Sequence, residues 1–474
     1  MANRKRRWTK LKRERARKKA QVTIKKRRRF IYEAKQRSQT QFAGIFPLIE
    51  YQEKMLELRA KLSQHLQETK GKNATFKSPD VAVGMVTLLQ MGLQYLEHIP
   101  RFLEEVKVAE RLGLRHFFSE NVVRDWIERK PHEQTQGLKQ LAQDYVLTQG
   151  LEEGCEVYVD VDQTSIRSYA VKRQGVVAGY GSHGRGPCYQ APRVSVNGLN
   201  FDWALKPGNE YGGLYYDVAL QTAETLLRQG KASEVILRSD SGFASTDRLA
   251  KAQELADQFG NFHFIMAASA SPKESALLGL IEQAQQTPKK RWRKVSPTTS
   301  VLELSRRIVY KEEGLKARAV LVKQQRTVTK RFGPRKGQTR TEKQDHFYFL
   351  LTDYRPSECN AQNLFRDYHG RQNEEHLFRD SKQARAFLHL PDQSLAANEF
   401  YLSLVLLSQT LRRLYQKQVL PKKRRLTYAP TLNDWFIEIG GKNQGSELDL
   451  LQPPLPDSPG NPDLDQKNLQ PVCN

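Results

Sequence analysis

Between Gly154 and Ala270 the sequence switches back and forth between two periodicities, and that order constrains the fold more than any other feature. CEVYVDVDQTSI alternates and is rich in Val, as a strand does. RQGVVAGYG and APRVSVNGLNFDWALKPGN read as further strands punctuated by Gly and Pro turns. YYDVALQTAETLLRQG has helical spacing, SEVILRSD is a short apolar strand, STDRLAKAQELADQFG is helical again, and NFHFIMAASA is another strand. Three strands, helix, strand, helix, strand predict an α/β mixed sheet with flanking helices, a core of about 170 residues.

The flanking regions divide the chain further. Residues 1–40 form a basic arm. Residues 41–150 read as helical: VAVGMVTLLQMGLQYLEHIPRFLEEVKVAERLGL has apolar helical spacing, and HFFSENVVRDWIERKP offers Ser119 as N-cap ahead of Val123, Trp126 and Ile127. Two short helices joined through Gly113 and Ser119 fit a helix-turn-helix or an ordinary bundle equally well. The core then runs over 151–271, is interrupted at 272–355 by a β-rich basic insertion, and resumes at 356–440 with a helix containing Glu375. Residues 441–474, rich in Pro, Asp and Asn, predict a flexible tail.

Charge narrows the partners. The net charge is +25, yet residues 1–30 hold 16 Lys/Arg against one acid, and residues 289–340 hold 17 against three Glu, so the other 392 residues sum to −4. Two dense positive patches attract polyanions, above all nucleic acid phosphate. Four cysteines without CxxC or paired-His spacing exclude a zinc finger and a disulfide framework, and they fit a reducing compartment. No run of 18 apolar residues exists, so no membrane span is expected. The expected location is the bacterial cytoplasm, at the nucleoid, or the nucleus in a eukaryotic host.

Three acids are placed for chemistry. Alternation puts Asp160 and Asp162 on one face of their strand, with Val159 and Val161 on the other. Asp240 ends an apolar strand, where ligands bind in sheets of this kind; Gly242 gives a tight exit and Ser245 caps the next helix. Glu375 lies in YHGRQNEEHLFRDSKQ, where Tyr368, Arg371, Glu375 and Lys382 fall close to one line on a helix. Each residue has a blander reading: a solvated DxD pair, a turn Asp, a solvated helix face. Together they suit phosphodiester chemistry, in which two divalent ions about 4 Å apart activate an oxygen and neutralise charge on phosphorus. Mg²⁺ takes hard carboxylate oxygens, so the expected cofactor is two Mg²⁺ ions held by Asp160 or Asp162 with Asp240 and Glu375, with Mn²⁺ as a substitute. Arg371 and Lys382 would hold phosphates beside the ions, and the Tyr368 hydroxyl would bond a phosphate oxygen.

The spacing Y-x2-R-x3-E-x6-K resembles the signature of insertion-sequence DDE transposases of the cut-and-paste superfamily. VDVDQTS, LRSDSGF, GYGSHGRG and LKPGN resemble further blocks of the subgroup with a GY…KRG…RPGN pattern, from which His183 to Gly186 and Lys206 depart mildly. The likeness covers roughly residues 110–415. It implies a ribonuclease-H-like fold, a catalytic triad of Asp162, Asp240 and Glu375, and a β-rich insertion between the second and third acids. Asp162 is preferred to Asp160 because Gln-Thr-Ser follows it. It also implies an aromatic in the insertion that stacks on a flipped base: Trp292, flanked by Arg291 and Arg293, is the candidate, with anchoring to a core as the equal alternative.

The expected function is therefore a DNA transposase that binds terminal inverted repeats of double-stranded DNA as a homodimer in a synaptic complex, cuts the ends and joins them to target DNA. The alternatives are a structure-selective nuclease without strand transfer, and an inactive DNA-binding repressor.

Overall fold

The computed structural model describes residues 40–152, 154–181, 184–269, 275–288, 291–304, 308–309, 316–331, 339–371, 380, 386–425, 427–438, 441–444 and 447–450. Glu375 and Lys382 lie outside the described residues, as does the basic arm. The chain divides into two compact units. One comprises residues 139–379 and 392–399; the other takes the residues before 139, with 380–391 and those from 400 on.

The second of these units is helical. It contains α1 (Ile45–Lys54), α2 (Leu58–His65), α3 (Ser78–Gln90), α4 (Val106–Arg111), α5 (Glu120–Ile127) and the start of α6 (Pro131–Tyr145). Val123, Trp126 and Ile127 on α5 are buried, and the Trp126 ring meets Phe400 edge-on at 4.8 Å. Ser119 occupies the N-cap position in extended backbone, yet its side chain makes no capping bond, unlike the sequence expectation. Residues 441–444 and 447–450 pair as an antiparallel hairpin, within the stretch whose composition predicts a tail. Among the described residues no helix is long and apolar enough to cross a membrane.

The other unit is built on one large mixed sheet. Its strands are β1 (Cys155–Arg167), β2 (Val177–Gly181), β3 (Gly184–Val196), β4 (Leu199–Trp203), β5 (Lys206–Pro207), β6 (Ala232–Ser239), β7 (Phe262–Ala268), β8 (Arg293–Ser296), β9 (Thr299–Glu303), β10 (Ile308–Val309), β11 (Lys316–Arg331) and β12 (Thr339–Thr352). The spatial order is β2-β3-β1-β6-β7-β12-β11-β9-β8, with β4 and β5 on β3 and β10 on β11. β1 runs antiparallel to β3 and parallel to β6, and β6 runs parallel to β7. The parallel pairs need crossovers, which α7 (Tyr215–Arg228) and α8 (Thr246–Gln258) supply. Ser245 caps α8 by accepting from the Arg248 backbone N–H at 3.3 Å, as its position in the sequence predicts.

Two features were not legible beforehand. GRGPCYQ, which lies between the two segments whose alternation predicts strands, continues APRVSV as a single long strand, β3. The basic β-rich stretch does not form a separate layer either: Phe349 to Thr352 of β12 pair antiparallel with β7, so the sheet continues into it. It also holds the helix α9 (Ser275–Gln285). A core of Ile236, Ile265, Val320, Val322 and Leu350 joins the two parts, with Leu364 and Phe365 of α10 (Ala361–Gly370) packed on it. Of α11 (Leu395–Gln418), only residues up to Glu399 belong to this unit.

Candidate active site

Register brings the first two acids together. Val161 of β1 lies opposite Ser239 of β6, so Asp162 and Asp240, the next residues on two parallel neighbours, stand side by side where β6 ends and β1 runs on beside β3. Strands are spaced about 4.8 Å apart, which puts two carboxylates within strong mutual influence. That influence is visible in Asp240. Burial pushes its carboxyl up from the usual range and the charge of Asp162 adds to the rise, against the opposing pull of Arg371 and the backbone N–H groups of Gly242 and Phe243.

Arg371 sits between them. It is the residue that closes α10, and its Nη2 donates to Asp162 Oδ2 at 3.0 Å and to the Val161 carbonyl at 3.1 Å. Burial works against its charge, yet Asp162, Tyr368 and the carboxylates of Asp240 and Asp160 outweigh it and hold the guanidinium charged. Its Nε is buried and has no hydrogen-bond partner among the described residues. The side chain is only 12 % exposed and is turned toward Asp162. Tyr368, one turn earlier, belongs to the same group. Its hydroxyl is pushed up by burial first and by Asp240 and Asp162 after, with Arg371 opposing.

Asp160, although on the same face as Asp162, is committed elsewhere. Its two oxygens accept from Arg238 Nε and Nη2 at 2.7 Å each, with the pair 1 % and 5 % exposed. The same guanidinium donates through Nη1 to the Asp367 carbonyl at 2.6 Å and lies 4.1 Å from the Tyr158 ring centre. Arg238 thus ties β1, β6 and α10 together one register step behind the Asp162–Asp240 pair. A lone Arg inside the apolar run VILRSD was the available signal, because a buried guanidinium needs a buried carboxylate.

Tyr211 was missed as well. Its hydroxyl donates to the Gly242 carbonyl in the turn after Asp240, its ring lies 6.0 Å from Phe243, and Arg248 stands 5.9 Å from its centre. Burial, then Asp240, push its phenol up to about 12. The Gly212 N–H donates to Gln163 Oε1 at 2.8 Å, and a Cβ on Gly212 would come within 2.5 Å of that oxygen. The Gly-Gly pair after LKPGN was the trace of this close approach.

The remaining sequence candidates lie apart from this group. Trp292 precedes β8, six strands from β1 in the sheet order; it is half-buried, 6.5 Å from Phe347, between exposed Arg291 and Arg293. At the opposite ends of β6 and β7 lies a second titratable cluster. His263 Nδ1 meets Asp353 Oδ2 at 2.6 Å, and Tyr354 donates to Glu234 at 2.5 Å. Asp367 is pushed up to about 6, by burial first and then by Glu156, while Arg238 opposes.

Asp162 and Asp240 supply hard carboxylate oxygens side by side, and burial together with the charge of Asp162 raises the Asp240 carboxyl, which is a donor set that a divalent cation stabilises. Among the described residues no three His, Cys, Asp or Glu side chains form a metal cluster; the third expected acid, Glu375, lies outside them.

Residues 24–443 match the family described as transposase DDE domain group 1, which spans most of the sequence. The chain belongs to that family. Its group of enzymes cuts and joins DNA. No curated protein matches the sequence. Among solved structures, this DDE transposase chain is similar to a piggyBac transposase synaptic complex with hairpin DNA, at a TM-score of 0.36 and 13% identity, covering 82% of this chain and 78% of that one.

Proposed function

We propose that this DDE transposase is of the insertion-sequence cut-and-paste kind with the Y-R-E-K signature, acting on double-stranded DNA as a homodimer. In this reading it binds terminal inverted repeats, cleaves at the ends and joins them to target DNA. The observation that carries the proposal is the adjacency of Asp162 on β1 and Asp240 at the end of the parallel β6, with Arg371 bonded to Asp162. A ribonuclease-H-like core accords with the antiparallel β3-β1 pairing that passes into the parallel β1-β6-β7 set. The helical unit around α4 and α5 is assigned to DNA binding.

In this mechanism Asp162 and Asp240, completed by Glu375, would hold divalent metal through carboxylate oxygens. Two Mg²⁺ ions bound there would supply the Lewis acidity that activates the attacking oxygen and neutralises charge on phosphorus. Arg371 orients Asp162 through its 3.0 Å contact, and its charge offsets the repulsion between the two carboxylates. Asp160 is set aside from metal binding, because both its oxygens are used by Arg238. Lys382 is assigned to the DNA end. Trp292 is given a base-stacking role with Arg291 and Arg293 on neighbouring phosphates.

The test is strand cleavage and joining on DNA carrying the element's ends with Mg²⁺. Asp240→Ala and Glu375→Ala should each abolish both steps. Activity that survives either substitution would refute the assignment, and cleavage without joining would reduce the enzyme to a nuclease.

A further inference from the structure

The β11–β12 hairpin changes character along its length. At its root, Val320, Val322, Tyr348 and Leu350 belong to the buried core. There β9 pairs with β11 only from Val320 to Gln324, and β7 pairs with β12 only from Phe349 to Thr352. Beyond those points the two strands continue paired with each other as far as Arg331 opposite Thr339. Among the described residues no other strand flanks this outer part.

The sequence of the outer part is unlike that of a strand pair made to be covered. Residues 325–331 and 339–345 contain one apolar side chain, Val328, five Lys/Arg and two acids, so neither face offers a core. One of the acids, Asp345, is already bonded to Lys323 at 2.7 Å. Lys330 stands directly opposite Arg340, an arrangement of like charges that destabilises a bare ribbon. Alternation puts the positions of Arg326, Lys330 and Arg340 on one face and that of Lys343 on the other. Arg326 and Lys343 are both exposed. A cationic, uncovered ribbon of this kind is a surface that an anion would stabilise.

We propose that the outer β11–β12 ribbon lies in the major groove of double-stranded DNA, with the Arg326, Lys330 and Arg340 face toward the base edges. Two strands about 4.8 Å apart with their side chains match a groove about 12 Å wide, which admits a two-stranded ribbon. Seven residues at about 3.4 Å each reach on the order of 24 Å beyond the root, enough to follow the groove over several base pairs. Arg on the groove face gives a forked donor for guanine O6 and N7. The positive charge supplies affinity by phosphate neutralisation. The proposal rests on the DNA-transposase reading and deepens it by naming the element that reads the duplex.

The experiment uses the full chain and a 30-bp mixed-sequence duplex. Binding is measured across a salt series, and guanine N7 accessibility is probed with dimethyl sulfate. Wild type should protect guanine N7 positions. Arg326→Gln with Arg340→Gln should lose that protection and bind about tenfold or more weakly. Lys343→Gln, on the opposite face, should keep the protection. Arg326→Lys with Arg340→Lys should recover binding but not the full N7 pattern, and thermal unfolding shows that each variant is folded. Wild-type binding without N7 protection, or a Gln double variant that binds and protects as wild type does, overturns the ribbon proposal while leaving the transposase reading intact. A wild type that neither binds the duplex nor cleaves an end-bearing DNA overturns both.

Discussion

Two aspartates two residues apart on one strand face should behave in opposite ways when neutralised. Asp160 is 1 % exposed and accepts two 2.7 Å bonds from a guanidinium that is 5 % exposed. Asp160→Asn removes one charge of a buried pair and strands the other, a loss of about 3–5 kcal/mol. At about 2–4 °C per kcal/mol for a domain of this size, the melting temperature should fall by on the order of 10 °C. Asp162→Asn is different in kind. Arg371 keeps the Val161 carbonyl at 3.1 Å and the charge of Asp240, and the repulsion that raises the Asp240 carboxyl disappears. Its melting temperature should fall by well under that of Asp160→Asn. Differential scanning calorimetry with and without saturating MgCl₂ separates the two. Mg²⁺ should stabilise Asp160→Asn by the same increment as wild type, since a ligand that binds only the folded chain raises stability by mass action, and should leave Asp162→Asn unmoved. The reverse pattern, with Asp162→Asn the less stable protein and Mg²⁺ stabilisation lost in Asp160→Asn, would show that the first metal-binding acid has been misassigned.

Further outcomes follow from neighbouring contacts. Arg371→Met removes a charge that holds the Asp240 carboxyl down, so that carboxyl rises further and the acid limb of the cleavage pH profile should move to higher pH; an unmoved limb would mean that Arg371 does not tune the pair. The Asp367 carboxyl binds its proton more tightly folded than unfolded, so it favours the fold below its ordinary carboxylate range and loses that contribution as pH rises through about 6. Asp367→Asn should therefore flatten the fall in melting temperature between pH 4 and 7, and a curve parallel to wild type would count against the buried position. Gly212→Ala places a Cβ 2.5 Å from Gln163 Oε1 and 2.7 Å from Pro192 Cβ. It should cost about 1–3 kcal/mol and slow cleavage through the residue beside Asp162; unchanged unfolding and cleavage would contradict the packing.

Local chemistry made much of the core readable. β1 alternates because Val157, Val159 and Val161 are buried, and the Val-Ile-Leu of β6 is buried on a central strand. Asp240 and the Ser245 cap follow from short-range rules about where strands stop and helices start. Those rules act within a few residues, so they survive the absence of any long-range information.

Which acids meet is a long-range matter. Asp160 and Asp162 share a face in the sequence, and only the pairing of β1 with β6 divides them, giving one to Arg238 and setting the other beside Asp240. The helix spacing sets Tyr368 and Arg371 on one line, but the burial of Arg371 against Asp162 depends on α10 docking beside the sheet. Tyr211 and Gly212 joined the site through turns that pass close in space and far apart in sequence. By itself the amino-acid order determined the strand–helix series, the acid types and the two basic patches, because periodicity and charge are written residue by residue. Only tertiary structure decided register, and register chooses a carboxylate's neighbours: a shift of one residue along β1 would exchange every partner on both faces.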